Sequence, residues 1–388
     1  MTWGLSPGRG PLAGLKVLEF GAIGPSPFAA MVMADMGADV VRVDRADVAR
    51  GSNAEAPHMA RGRRSIAVDL KCAEGVHVAL EAADRADVLI EGFRPGVMER
   101  LGLGPDVCIP RNPALVYGRM TGWGQLGPAA RDAGHDINYI SIAGVLGAMG
   151  PAGAPPTVPL NLVGDFGGGG MLLLAGVLMA LFERASSGRG QVVDAAMVDG
   201  ASLLMTLIHE FRAEGRWPAA RGDNLLDGGA PFYDTYETAD GRYMAVGALE
   251  PQFFAELVGV LGIEFDLARQ DDPAAWPGLR VQLRDAFKRR TRAEWERIFD
   301  GTDACVSPVL ALDEASSSRY AAERDAFVDV DGRTEPAPAP RFSRTPGAVE
   351  RGSSVAGADT EDVLRDWDVD QTAIERLISA GTVVQRRV

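Results

Sequence analysis

Residues 15–44 constrain the fold of this chain more than any other segment. Residues 15–20 (Leu-Lys-Val-Leu-Glu-Phe) form a short β-prone run, which Gly21, Gly24, Pro25 and Pro27 interrupt. Residues 28–37 then read as a helix rich in Ala and Met that stops at Gly37, since glycine takes the left-handed cap at little cost. Residues 39–44 (Asp-Val-Val-Arg-Val-Asp) are a second strand. Strand, glycine turn, helix and strand make a βαβ unit, and that crossover commits a chain to a parallel sheet flanked by helices. The pattern recurs: residues 65–70, 87–91 and 114–119 read as strands, with an amphipathic helix over 73–86. The expected fold class is α/β, with an open, Rossmann-like parallel sheet in a large domain. Ligands of such sheets sit beyond the carboxyl ends of the strands, here Gly21 to Gly24, Arg45, Lys71, Gly92 to Arg94 and Thr121 to Gly124.

Further along, residues 134–185 are rich in Gly and Ala and suggest helical hairpins packed through small residues, with a loop at 151–159. Residues 188–196 return to strand chemistry and 197–215 read as a helix. Residues 230–246 alternate around Asp240-Gly241, a hairpin signal, and hold three of the six tyrosines. The shift marks a smaller α+β domain over 230–320. The large domain is expected to take 1–200 and 330–388, with linkers at 201–229 and 321–329. Residues 331–346 read as an extended return segment and 359–381 as helical.

Charge removes several functions. The 388 residues carry 39 Lys and Arg against 53 Asp and Glu, a net charge of −14. Nucleic acid is not an expected partner, because a phosphate backbone needs a basic face. The longest apolar run, residues 167–182, has 16 residues and ends at Glu183-Arg184, so it reads as a buried helix and not a membrane span. The first ten residues lack the apolar centre of a signal peptide. Three distant cysteines, Cys72, Cys108 and Cys305, form neither a disulfide framework nor a metal cluster. No metal is expected, and the expected compartment is the cytoplasm.

The first glycine turn lacks the spacing of a dinucleotide fingerprint, and Arg45 directly follows the acid that would hold a ribose. The arginines are more suggestive. Arg45, Arg61, Arg63, Arg64, Arg94 and Arg100 fall within one stretch of an acidic chain. Guanidinium forks suit phosphate oxygens, so the group suggests a phosphorylated ligand, although any one of them also suits a solvated surface. Of four histidines, His58, His77 and His209 read as structural or surface residues. His135 follows Gly134 and precedes Asp136 at an expected helix start, where free amides favour negative charge. Asp165 lies in Gly-Asp-Phe-Gly-Gly-Gly-Gly ahead of the apolar run, where a plain N-cap is an equal reading. Glu250 precedes Pro251 at another expected helix start.

These segments resemble the α-methylacyl-CoA racemases of the family III CoA transferases, most closely the actinobacterial type. The resemblance runs from about Pro11 to Val383 and is carried by Ala-Asp-Val-Leu-Ile-Glu-Gly-Phe-Arg-Pro-Gly from Ala86, Gly-His-Asp at 134–136, Gly-Asp-Phe-Gly-Gly at 164–168 and Glu-Pro-Gln-Phe at 250–253. It implies that His135 and Asp165 are two catalytic bases. Glu250 would support His135 from the partner subunit of an interlocked homodimer. CoA, which is part of the substrate and not a separate cofactor, would be held by Arg45, Val68, Asp69, Leu70, Lys71, Gly92, Phe93, Arg94, Arg100, Gly134, Ile137, Asn138 and Tyr139. The implied reaction interconverts (2R)- and (2S)-2-methylacyl-CoA by 1,1-proton transfer through an enolate, stabilised by the backbone N–H of Asp136. The alternative is a CoA transferase with Asp165 as covalent nucleophile, a reaction with no use for a second base. Met149, Met171 and Met197 suit either a permissive acyl surface or ordinary core.

Overall fold

The computed structural model describes residues 10–51, 56–217 and 220–387. They divide into two compact units: Met1–Ala143, Leu160–Leu204 and Tyr320–Val388 in the first, Gly144–Pro159 and Met205–Arg319 in the second. These limits differ from the expected domains. Gly144–Pro159 groups with the second unit, where Arg221 donates to the carbonyls of Gly147 and Ala154.

The first unit is built on β1 (Lys16–Phe20), α1 (Pro25–Asp35), β2 (Asp39–Arg45), β3 (Arg64–Val68), α2 (Ala73–Arg85), β4 (Val88–Glu91) and β5 (Val116–Thr121). It continues through α3 (Asp136–Ile142), α4 (Leu162–Ser187), β6 (Val192–Ala196) and α5 (Met197–Leu204). The sheet runs Val383–Val384, β3, β2, β1, β4, β5, β6, and all neighbours are parallel except the first short strand. The order 3-2-1-4-5-6 is that of a doubly wound dinucleotide-type sheet. Two apolar cores cover its faces. One gathers Leu18, Phe20, Ile66, Leu89 and Tyr117 with α2 and the C-terminal helices; the other gathers Val40, Val88, Ile90, Leu173 and Val177 with α1 and α4.

Two elements depart from expectation. The expected helix over 197–215 breaks at Met205 into α5 and Thr206–Ala213. The apolar helix starts earlier than expected, with a wide π-helical stretch over Leu162–Met171 leading into Leu172–Ser187. The resulting 26 residues have the length and apolar composition of a membrane span. Leu173, Leu174, Val177 and Ala180 are nonetheless buried, and Arg184 donates to the Ala114 carbonyl and the Asp87 carboxylate, which ties this helix to the sheet.

The second unit pairs β7 (Tyr233–Glu237) with β8 (Tyr243–Gly247), the expected hairpin, and β8 with β9 (Val306–Pro308). Helices including α6 (Pro251–Leu261) pack on it around Phe232, Phe254, Phe287, Trp295 and Phe299.

Candidate active site

The site is a cavity of about 800 Å³ in the first unit, at the carboxyl ends of β1, β4 and β5. Its floor follows from a buried ion-pair network. Glu91, at the end of β4, accepts the Phe93 N–H at 2.8 Å and the Arg119 Nε at 2.9 Å, and Arg119 also binds Glu99 at 2.8 Å. Gly92, Phe93 and Arg94 are thereby fixed along the cavity. The first turn of α1 also lines the cavity, packed against Gly92, and Arg63 donates to both Glu19 and the Pro27 carbonyl behind it.

His135 caps α3 and is exposed to the cavity; its own N–H donates to Asn138 Oδ1 at 3.1 Å. Asp165 sits half-buried in the π-helical turn, and Asn161 Nδ2 donates to its Oδ2 at 3.1 Å. Gly24, at φ +73°, passes so close that a Cβ there would lie 3.3 Å from Asp165 Oδ2. Burial raises the pKa of Asp165 above the usual carboxylate range; the Asn161 bond opposes this, Asp136 adds to it and His135 opposes it. His135 and Asp165 line the same cavity. Tyr139 is 6% exposed and edge-on to Trp123 at 4.9 Å. Its ring fills a slot left by Gly122 and Gly134, where a side chain would collide with it. Its hydroxyl pKa is raised by burial and by Asp165, against Arg94.

Of the expected site residues, Gly92, Phe93, Arg94, Gly134, His135, Asn138, Tyr139 and Asp165 meet in this cavity. Asp136 lies buried behind it, accepting backbone N–H groups of α4. Ile137 is 40% exposed outside the lining. Arg45, paired with Asp47, and Lys71 are exposed at neighbouring strand ends, with Asp69 accepting the Lys71 N–H. Leu70 packs on the core and Val68 is buried within it. Arg100 is exposed on the turn Val97–Arg100. Glu250 caps α6 in the second unit and is exposed. Three of the six clustered arginines are not ligand groups in this arrangement: Arg61 pairs with Asp35 and Glu335, Arg63 with Glu19, and Arg64 with Asp39 and Asp366. Of the three methionines weighed for the acyl surface, Met197 lines the cavity, joined by Met59 and Met120; Met149 belongs to the second unit.

Sequence reasoning missed Asn161, whose i, i+4 spacing to Asp165 was the available signal. It also set aside His58, which lines the cavity beside Pro57 and Met59.

An acid and a histidine thus line one cleft beyond the strand ends of a doubly wound sheet, where α/β folds of this kind bind their ligands. Residues 12–360 match the model of CoA-transferase family III, and the chain belongs to that family. It is 48% identical over 372 residues to α-methylacyl-CoA racemase of Mus musculus, covering 95% of this chain and 96% of that protein. It is 44% identical to α-methylacyl-CoA racemase of Homo sapiens, covering 97% of this chain and 98% of that protein. The crystal structure of Rv3272 from M. tuberculosis superposes with a TM-score of 0.75 at 28% identity, covering 91% of this chain and 99% of that one.

Proposed function

We propose that this protein is an isomerase, an α-methylacyl-CoA racemase that interconverts (2R)- and (2S)-2-methylacyl-CoA thioesters. One observation carries the reading: His135 and Asp165 line the same cavity. A transferase needs the carboxylate alone, whereas exchange of a proton between the two faces of C2 needs two bases.

In the proposed mechanism the thioester carbonyl acidifies the C2 proton. One base removes it and the other returns a proton to the opposite face, each acting as acid in one direction; such groups contribute about 10²–10⁴-fold each. The first turn of α3, including the Asp136 N–H, stabilises the enolate oxygen. Gly92 to Arg94 and the Gly134 to Tyr139 segment hold the inner part of CoA, and the exposed Arg45, Lys71 and Arg100 its outer, anionic part. Glu250 steadies His135 from the second subunit of a homodimer. Exposed Met179 and Phe182 on α4 support a self-association surface. Three unpaired cysteines suit the cytoplasm.

The test is incubation with an enantiopure 2-methylacyl-CoA and no acceptor acid. Loss of optical activity is expected. In a parallel incubation with added free acids, CoA transfer with C2 configuration intact would favour the transferase, with Asp165 as nucleophile, instead.

A further inference from the structure

The residue after His135 turns away from the cavity. Asp136 is 5% exposed, and its Oδ2 accepts the N–H of Gly164 at 2.6 Å and of Asp165 at 2.7 Å. Gly164 leaves the room for this, since a Cβ there would lie 2.6 Å from the same oxygen. One side chain therefore joins the peptide after the first base to the peptide of the second, across two elements 28 residues apart. Without it, the wide turn that carries Asp165 would be held to α3 by packing alone.

The carboxylate has amide donors on one oxygen only. Oδ1 is buried with no hydrogen-bond partner, and no Lys or Arg pairs with Asp136 among the described residues. An anion in that position acts on its neighbour with little screening. The neighbour is Asp165.

We propose that the Asp136 side chain is a positioning residue of the proton transfer: it sets the separation of the two bases and bears on Asp165 as a buried charge with no cation partner. The proposal rests on the two-base reading above and assigns to the side chain a role separate from that of its backbone N–H. A two-base racemase works with one proton shared between its bases. Asp136 opposes the ionisation of Asp165, so the pair keeps its second proton to higher pH than an isolated aspartate would allow, which sets the acidic limb. The groups around Asp165 are Asn161, Asp136, His135 and Tyr139, with Arg94 beyond Tyr139.

Two variants separate the roles. Asp136→Asn keeps an acceptor oxygen for both N–H groups and removes the charge. Asp136→Ala removes both. Racemisation kcat and KM, the pH profile of kcat/KM, and C2 deuterium incorporation with its stereochemistry are measured beside the wild type. Asp136→Ala is expected to lose about 10²-fold in kcat, the cost of a misplacement of about 1 Å, with KM little changed. Asp136→Asn is expected to lose about tenfold and to move the acidic limb to lower pH by up to about one unit, because Asp165 ionises more readily. In both, exchange with retention by His135 should persist while inversion falls.

An acidic limb that stays in place in Asp136→Asn, or retention exchange and inversion that fall together, overturns the proposal. Should Asp136→Ala not fold, Asp136→Asn alone decides it. A wild-type protein that does not racemise overturns the reading beneath it, and the wild-type control keeps the two failures apart.

Discussion

Two groups of buried acids stand within the first unit, under different rules. Beneath and beside the sheet, Glu19 pairs with Arg63, Asp35 with Arg61 and Glu91 with Arg119. At the cavity, Asp136 and Asp165 have only backbone N–H groups and an asparagine amide. Burial raises the pKa of Glu19, Asp35, Glu91 and Asp165 alike. In the first three an arginine offsets the effect, and the acid holds structure. In Asp165 the nearest offsets are an amide and His135, so a proton can come and go. The difference teaches that burial alone does not single out the proposed catalytic acid; partial burial without a permanent cation, in a side chain that opens onto the cavity, does.

Exchanging the roles should break the contrast. Asp165→Ala is expected to lower racemisation by 10³-fold or more, within the range of positioned acid/base groups, while thermal unfolding stays near wild type. A variant that keeps its activity would place the chemistry elsewhere. Arg63→Ala should do the reverse. It strands Glu19 in the core and costs about 3–5 kcal/mol of stability, read from denaturant unfolding. It should also loosen the first turn of α1, which Arg63 holds through the Pro27 carbonyl. A wild-type midpoint would show that this pair is dispensable.

The smallest effect sharpens the contrast at Asp165 itself. Asn161→Ala removes the bond that favours its ionised form, so its pKa should rise further. The pair then gains its second proton at higher pH, and the acidic limb of kcat/KM should move up. This is opposite in sign to the shift expected for Asp136→Asn. A limb moving down, or not at all, would show that the 3.1 Å bond does not govern Asp165.

The sheet was readable because its strands are short apolar runs, three of them closed directly by Gly21, Gly92 and Gly122, and the glycine turn before α1 forces a crossover. His135 and Asp165 stood out because each occupies a helix start, where the backbone itself favours charge chemistry. The fate of the arginines was not readable. Arg63 and Arg94 differ in sequence context by little, yet one is sealed under the sheet and the other opens onto the cavity. Partners such as Glu19 and Asp35 are set by strand order, a long-range property. The break at Met205 was hidden for a similar reason, since the helical pattern runs on through it. The Asp136 link joins residues 28 apart in chain through a side chain that any local reading assigns to capping.

The pairing of His135 with Asp165 is tested most directly by the first turnovers in D₂O, starting from each pure enantiomer and separating recovered substrate from inverted product. With two bases on opposite faces, the inverted product should carry solvent deuterium at C2 from the outset, and deuterium should enter the recovered substrate more slowly, by exchange with retention. Deuterium entering the recovered substrate as fast as the product, or an inverted product that keeps its original proton, would mean that a single base does the work.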